Sequence, residues 1–131
     1  MIHFANEGEF KKYLMDTLQA RGCNVIPIQT RTRDGVPDLS VDHISGHRWI
    51  EVKQLLTKNF DEMQFYYKIP FRPGQQKVAF EIYVATKKPV LCCVAFKNGM
   101  YFFEQRRIYP DGRVRVGDFK ELNITKEGLI L

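Results

Sequence analysis

The sequence lacks the segments that would place it in a membrane or direct it to export. No apolar run approaches the roughly 20 residues that a membrane-spanning helix needs, so we expect no membrane partner. The first ten residues, MIHFANEGEF, contain no apolar signal-peptide core, and we therefore expect no secretory export. Internal repeats and low-complexity segments are also missing, which argues against a repeat protein.

Cysteine is scarce and poorly placed for cross-linking. The chain has three cysteines, an odd number, and two of them are adjacent at Cys92-Cys93. This spacing does not form a disulfide framework, and the sequence has no CxxC pair for zinc. We expect reduced thiols in a cytoplasmic protein, with Cys92-Cys93 on a core strand.

The residues that are present have the composition of a globular domain with a basic bias. A chain of 131 residues suffices for one domain, and 44% hydrophobic with 27% charged residues argues against disorder. The net charge of +5 and the pI near 9.2 favour an anionic partner such as nucleic acid. This indication is weak by itself, because many basic proteins bind no nucleic acid.

The order of predicted elements indicates an α/β (α+β) fold. The segment NEGEFKKYLMDTLQARG predicts an amphipathic helix that Asn6 caps, with Glu9 as the capping-box partner. Three strands, a second helix in QQKVAFEIYVATKK and at least two more strands follow. We predict a single domain over residues 1–131, a mixed sheet flanked by helices, with a core of about 6–105 and a C-terminal β extension over 106–131.

A predicted hairpin between Gly35 and Lys53 gathers charged residues on one face. If Ser45-Gly46 is the loop, Leu39 lies opposite Val52, and the apolar side chains share one side. In this register Asp38 lies opposite Lys53. A shift by one residue would move the acids to the apolar face, so burial disfavours it. The polar face then carries Asp38, Ser40, Glu51 and Lys53.

Two carboxylates and an ammonium group at one point suit phosphodiester hydrolysis. Carboxylate oxygens are typical ligands of Mg²⁺ or Mn²⁺, whereas zinc prefers histidine and cysteine. A metal there would lower the pKa of a bound water, and Lys53 would hold that water or offset the developing charge. The alternative is a solvated strand face with a weak ion pair, in which Asp38 is an ordinary turn residue after Pro37.

Three sequence motifs resemble those of a nuclease family. Pro37-Asp38 followed by Glu51-Val52-Lys53 resembles the PD-(D/E)xK signature. The helix that Glu7 opens and Gly22 closes is similar to the first helix of the VRR-NUC branch, and Pro73-Gly74-Gln75 is similar to its Pro-x-Gln motif. The resemblance covers about residues 7 to 96. It implies a restriction-endonuclease-like fold and, because phages often encode such proteins, a bacterial host cytoplasm.

The resemblance implies roles for four residues of the hairpin. Asp38 and Glu51 would be ligands of the cofactor Mg²⁺, for which Mn²⁺ can substitute, and the Val52 carbonyl would supply a third oxygen. Lys53 would orient the attacking water and offset transition-state charge.

The resemblance also implies roles for two residues outside the hairpin, each with a competitor. Glu7 would be a further ligand from the first helix, directly or through water, and is preferred to Glu9 because Glu9 already has a capping role. Gln75 would position water or phosphate at the edge of the site, and Gln76 is its competitor.

Basic residues near the proposed site are candidate DNA contacts. Arg31 and Arg33 precede Asp38 on a loop and are placed to meet phosphates beside the scissile bond. A second set, interleaved with Phe65, Tyr66 and Tyr67, suits backbone phosphates and an unstacked base. An alternative of equal weight is that these aromatic side chains pack in the core or in a dimer interface. The second set consists of Lys58, Lys68, Arg72 and Lys77.

The resemblance implies a metal-dependent endodeoxyribonuclease that acts on branched DNA, similar to Holliday junction resolvases. A resolvase cuts two symmetric strands, so we expect a homodimer whose interface uses Phe102-Phe103 or the 60–71 stretch. One alternative is a nuclease with another DNA substrate, such as a nicking, single-strand or site-specific enzyme. The other is a non-catalytic nucleic-acid-binding module. Residues 54–73, which link the strand of Lys53 to the helix of Gln75, form a longer segment than is usual in the family. This departure bears on the choice of substrate more than on the chemistry.

Overall fold

The first helix forms where the sequence predicts it, in a computed structural model that describes residues 3–29 and 34–124. Helix α1 (Glu7–Ala20) is capped by Asn6, whose side chain accepts a 2.9 Å hydrogen bond from the Glu9 N–H. The Glu9 carboxylate in turn accepts from the Ala5 N–H at 2.7 Å, one residue earlier than a capping box would have it. The buried face of α1 consists of Phe10, Leu14 and Leu18.

Within the described residues, eight strands and a second α-helix follow α1. Six of the strands form a mixed sheet in the order β1-β2-β3-β5-β6-β8, in which β3 and β5 are parallel and the other neighbours antiparallel. The remaining two, β4 and β7, form a separate ribbon. In chain order the elements are β1 (Asn24–Pro27), β2 (Leu39–His43), β3 (Gly46–Leu55), β4 (Tyr66–Lys68), α2 (Gln75–Thr86), β5 (Val90–Phe96), β6 (Gly99–Gln105), β7 (Arg113–Arg115) and β8 (Lys120–Glu121).

The sheet is covered on both faces, which confirms the predicted α/β fold with a mixed sheet flanked by helices. Helix α1 packs on one face, in a cluster that includes Leu39, Ile50 and Cys93. The β4–β7 ribbon packs on the other face around Cys92 and Phe103, and α2 contacts β5 and β6. The parallel pair requires a long crossover, which residues 56–89 provide. Within the described ranges, neither helix is long and apolar enough to cross a bilayer.

The predicted hairpin register is wrong by two residues. Leu39 pairs with Ile50 and His43 with Gly46, so the loop is Ile44-Ser45. A local hydrogen bond of 2.8 Å between the His43 ring and the Ser45 hydroxyl supports this loop. A shift by two leaves every side chain on its predicted face, so the apolar pattern does not distinguish the two registers. Asp38 therefore comes beside Glu51 rather than Lys53.

Of the two candidate dimer interfaces, the one at Phe102-Phe103 is wrong. These side chains are 4% and 0% exposed, because β6 lies between β5 and β8 and both of its faces are covered. Phe102 packs in the α1 cluster and Phe103 in the cluster of the ribbon. The adjacent Cys92-Cys93 are both fully buried, as predicted. A strand whose two faces are both covered has the same apolar composition as a strand with an exposed apolar patch. The sequence alone therefore does not distinguish a core strand from a dimer interface.

Two glycines bring the loop before Asp38 against the start of α2. Gly35 has φ of +87° and Gly74 has φ of +85°, a backbone region that disfavours side chains. A Cβ atom on Gly35 would lie 2.3 Å from the Gly74 carbonyl oxygen. This backbone contact links the segment that leads into β2 with the segment that leads into α2.

We expect Gly35→Ala to lower the free energy of unfolding by about 2 kcal/mol or more, because it combines a disfavoured φ with a backbone clash. Urea denaturation measures the effect. Gly117→Ala is the matched control, since a Cβ there meets open space and φ is not in the left-handed region, so its change should stay within about 0.5 kcal/mol. Equal stability of the two variants would contradict the close contact.

Candidate active site

Backbone hydrogen bonds hold Asp38 in place at the start of β2. Its backbone carbonyl accepts a 2.8 Å hydrogen bond from the Ile28 N–H, which extends the β1–β2 pairing. Its side-chain Oδ2 accepts from the Val52 N–H, also at 2.8 Å. The half-buried carboxylate is therefore directed at the edge of β3, one residue from Glu51.

Glu51 and Lys53 are buried together on β3. They are 2% and 4% exposed, and as residues two apart on one strand they share the face that carries Asp38. Burial raises the pKa of Glu51 to about 9, and a hydrogen bond from its carboxyl group to Asp38 and the charge of Asp38 add to this, while Lys53 and Arg72 oppose it. Without a bound metal, Glu51 therefore keeps its proton at neutral pH, in the hydrogen bond to Asp38.

The first residue of α2 contacts this carboxyl pair. Gln75 is 3% exposed, and its Nε2 donates a 3.2 Å hydrogen bond to Glu51 Oε1. Its Oε1 accepts from the Arg72 N–H at 2.7 Å, which fixes the orientation of the amide. Gln76 bonds elsewhere, because its amide pairs with the backbone N–H and carbonyl of Tyr109 at 2.6 and 3.1 Å. The structure thus brings Gln75, and not Gln76, to the acids.

The first residue of α1 approaches from the opposite side. Partial burial raises the pKa of Glu7, Asp38 raises it further, and Lys53 and Arg72 lower it. The carboxylate of Glu7 is solvent-exposed but within electrostatic range of the site. Glu9 is engaged in the helix cap instead. The structure therefore separates the two glutamates that the sequence left in competition.

The oxygen atoms at this point fit a hard divalent cation. Asp38 and Glu51 supply carboxylates, and the Val52 carbonyl points to the same side as its N–H, towards Asp38 and beyond the last β2–β3 pair. Over residues 3–29 and 34–124, no three acidic, histidine or cysteine side chains are grouped so that they could hold a metal ion. Mg²⁺ needs only one or two carboxylates and keeps waters or substrate oxygens as its other ligands. The set therefore suits Mg²⁺ or Mn²⁺ and not zinc.

The predicted DNA contacts fall into separate groups. Arg31 and Arg33 lie outside the described residues. The other four are all exposed: Lys68, Arg72 and Lys77 line a groove of about 430 Å³, and Lys58 and Lys68 line a neighbouring cleft of about 620 Å³.

The three interleaved aromatics do not share one environment. Tyr67 belongs to the core, as the alternative predicted, whereas Phe65 and Tyr66 are exposed, and their contact with DNA stays a prediction. Sequence reasoning missed Arg113, whose guanidinium carbon lies 4.9 Å from the centre of the Tyr66 ring. No local signal could have found it, because the pairing of β4 with β7 joins residues far apart in the chain.

The arrangement of the sheet and helices matches the fold of a solved structure. No protein-family model and no curated protein matches the sequence. Among solved structures, the chain is similar to Hjc, a Holliday junction resolvase from the archaeal hyperthermophile Archaeoglobus fulgidus, with a TM-score of 0.56. The match has 13% sequence identity and covers 82% of this chain and 87% of that chain. At this identity the likeness establishes the fold.

We expect the stability of the metal-free protein to fall as pH rises from 5 to 9, by a few kcal/mol. Folded Glu51 keeps a proton up to about pH 9, while the unfolded carboxyl releases it near its ordinary pKa of 4.5, so raising the pH favours unfolding. Glu51→Gln has no proton to lose and should flatten this dependence. Denaturant titrations in EDTA measure it, with the exposed Glu62→Gln as control. Parallel curves for wild type and Glu51→Gln would rule out the proton on Glu51.

Proposed function

We propose that this protein is a Mg²⁺-dependent endonuclease that hydrolyses DNA phosphodiester bonds, with branched DNA as its substrate and Mn²⁺ able to replace Mg²⁺. The observation that carries the proposal is the burial of Glu51 and Lys53 beside Asp38 on one strand face. Burying an acid and an ammonium group without a function is costly, and hydrophobic side chains would stabilise this position better.

The chemistry divides among the residues of the hairpin. Asp38, Glu51 and the Val52 carbonyl would hold Mg²⁺, which when bound lowers the pKa of a water molecule and polarises a phosphoryl oxygen. Lys53 orients the attacking water through its ammonium group and offsets the charge that develops on the phosphate. Its stem is enclosed on the sheet face, with Nζ 6.0 Å from the centre of the Phe71 ring, so the charge is held where water is excluded.

Residues of the two helices position the carboxylates. Gln75 donates to Glu51 Oε1, and the Gln75 amide is itself held by the Arg72 backbone N–H. Glu7 supplies a further carboxylate from α1, directly or through water. Arg72 is exposed next to this group and contacts a phosphate beside the scissile bond.

The fold supports branched DNA as the substrate class. The similar structure is described as a Holliday junction resolvase, and the net charge of +5 suits a nucleic-acid partner. A symmetric junction has two strands to cut, which favours a homodimer. The motifs at Glu7 and Gln75 favour the VRR-NUC branch within this fold. The second candidate, the same chemistry on a nicked, single-stranded or site-specific substrate, is favoured by the exposed rings of Phe65 and Tyr66.

Cleavage of matched DNA substrates tests the function. Four-way junction, nicked, single-stranded and linear duplex DNA of shared sequence are incubated with Mg²⁺ or with EDTA. We expect symmetric cuts near the branch point that require the metal. Cutting of the other substrates in preference to the junction would retain the nuclease and reject the resolvase activity, and no cutting with Mg²⁺ or Mn²⁺ would contradict the proposal.

Single substitutions at the hairpin should separate chemistry from folding. We expect Asp38→Ala and Lys53→Ala each to reduce cleavage by at least about a hundredfold, because each removes charge that acts on the transition state. Circular dichroism and melting confirm that the variants fold. Asp42→Ala and Lys97→Ala are the matched controls, since both side chains are exposed and lie on the same strand or at the end of a neighbouring one.

Metal binding gives a readout that does not depend on cleavage. Mn²⁺ in excess should raise the melting temperature of the wild type, because it binds only the folded site, and should leave that of Asp38→Ala unchanged. A folded Asp38→Ala or Lys53→Ala variant with wild-type activity would contradict the assignment of the site.

A further inference from the structure

A cleft on the β4–β7 ribbon combines exposed aromatic rings with positive charge. It has a volume of about 620 Å³, and we name it the aromatic cleft. The residues of this cleft that carry the argument are Lys58, Phe65, Tyr66, Lys68 and Arg113. None of them belongs to the site formed by the hairpin and α2.

The inner side of the ribbon is firmly anchored, so the exposure of its outer side is not a result of loose packing. The Tyr67 hydroxyl donates to the Asn59 carbonyl at 2.9 Å and accepts from the Asp61 N–H at 2.7 Å. The Phe60 backbone forms two hydrogen bonds with the Asn98 side chain, at 2.6 and 3.0 Å. On the outer side the Phe65 side chain is 89% exposed, although its carbonyl accepts a 3.1 Å hydrogen bond from the Val116 N–H.

The charge of the aromatic cleft is suited to phosphate. The Arg113 guanidinium stacks over the Tyr66 ring at 4.9 Å, which holds a cation beside the exposed rings. Lys58 and Lys68 add two further positive charges, whereas Asp61 is the one acid of the lining and accepts a hydrogen bond from the Met63 N–H. Aromatic rings flanked by cations are typical of sites that bind single-stranded nucleic acid. Each base can stack on a ring, and each phosphate carries a negative charge that a cation attracts.

A basic path connects the aromatic cleft with the candidate active site. Lys68 lines both this cleft and the groove that contains Arg72 and Lys77. Arg72 in turn acts electrostatically on Glu51 and Glu7. Lys68 and Arg72 are four positions apart in the chain, a distance of at most about 14 Å when it is extended. A DNA strand whose phosphate lies at Glu51 therefore has a charged route to Phe65.

We propose that the aromatic cleft binds an unpaired nucleotide, with its base stacked on Phe65 and its phosphates held by Lys68 and Arg113. The substrate class is then DNA in which a single-stranded segment adjoins the duplex to be cut. The position of the scissile phosphate rests on the proposed function, whereas the binding of single-stranded DNA by the cleft does not.

Binding in EDTA tests the cleft without cleavage. Fluorescence anisotropy of a labelled 12-nucleotide single strand and of a matched duplex is measured for wild type, Phe65→Ala and Phe65→Trp. We expect Phe65→Ala to weaken single-strand binding about tenfold and duplex binding less than twofold, because the variant loses one base-stacking contact. Phe65→Trp should restore single-strand binding, because its ring can stack on the same base. Ile44→Ala is the matched control, since Ile44 is 99% exposed at the hairpin tip.

Salt dependence and base fluorescence separate stacking from charge. Lys68→Ala should lower the slope of log affinity against log salt by about 1, whereas Phe65→Ala should leave the slope unchanged. A 2-aminopurine base in the single strand should change its emission on binding to wild type and not to Phe65→Ala.

The outcomes distinguish this inference from the proposed function. Unchanged single-strand affinity of Phe65→Ala, or an equal loss for single strand and duplex, would overturn the stacking role. A Phe65→Ala variant that loses only self-association, measured by size-exclusion chromatography, would assign the rings to a second copy of the chain instead. If wild type cuts no DNA but Phe65→Ala loses single-strand binding, the proposed function fails and the cleft stands.

Discussion

The contact between the Asp38 and Glu51 carboxyl groups is the constraint on which the rest of the site depends. Burial and the neighbouring Asp38 disfavour the charged form of Glu51 in spite of Lys53, so without a bound metal Glu51 keeps its proton at neutral pH. Neighbouring groups hold both acids in place: the Val52 N–H donates a hydrogen bond to Asp38, and the Gln75 amide donates one to Glu51. A cation at this point would relieve the repulsion and displace the proton, which connects metal binding with stability.

This constraint also explains why the fold brings distant segments together. The acids lie on adjacent strands of the sheet, while the parallel pair β3 and β5 forces the chain to cross over the same face and deliver the start of α2 to them. The contact between Gly35 and Gly74 holds the two entering loops against each other. The crossover also contains β4, so the ribbon with its aromatic cleft is a continuation of the segment that carries Arg72 and Gln75.

Much of the fold was predictable because its local patterns are strong. The apolar period of α1, its Asn6 cap and the alternation along β2 and β3 identified these elements, and alternation placed Asp38, Glu51 and Lys53 on one face. The structure brings those three residues together with Gln75, and their roles stay predictions. The predicted hairpin register was wrong because a shift by two residues leaves every apolar side chain on the buried face. The candidate interface at Phe102-Phe103 was wrong because the α1 cluster covers one face of β6 and the ribbon cluster covers the other.

The sequence by itself determined which residue types occur and which faces they share, because side-chain alternation and helical period are properties of a few neighbouring residues. It therefore determined the acid-acid-lysine set and the buried face of α1. Only the tertiary structure decided that Asp38 lies beside Glu51, that Gln75 rather than Gln76 reaches them, and that Arg113 stacks on Tyr66. These contacts join segments 13 to 47 residues apart in the chain, and they depend on strand order and crossovers that no local pattern encodes.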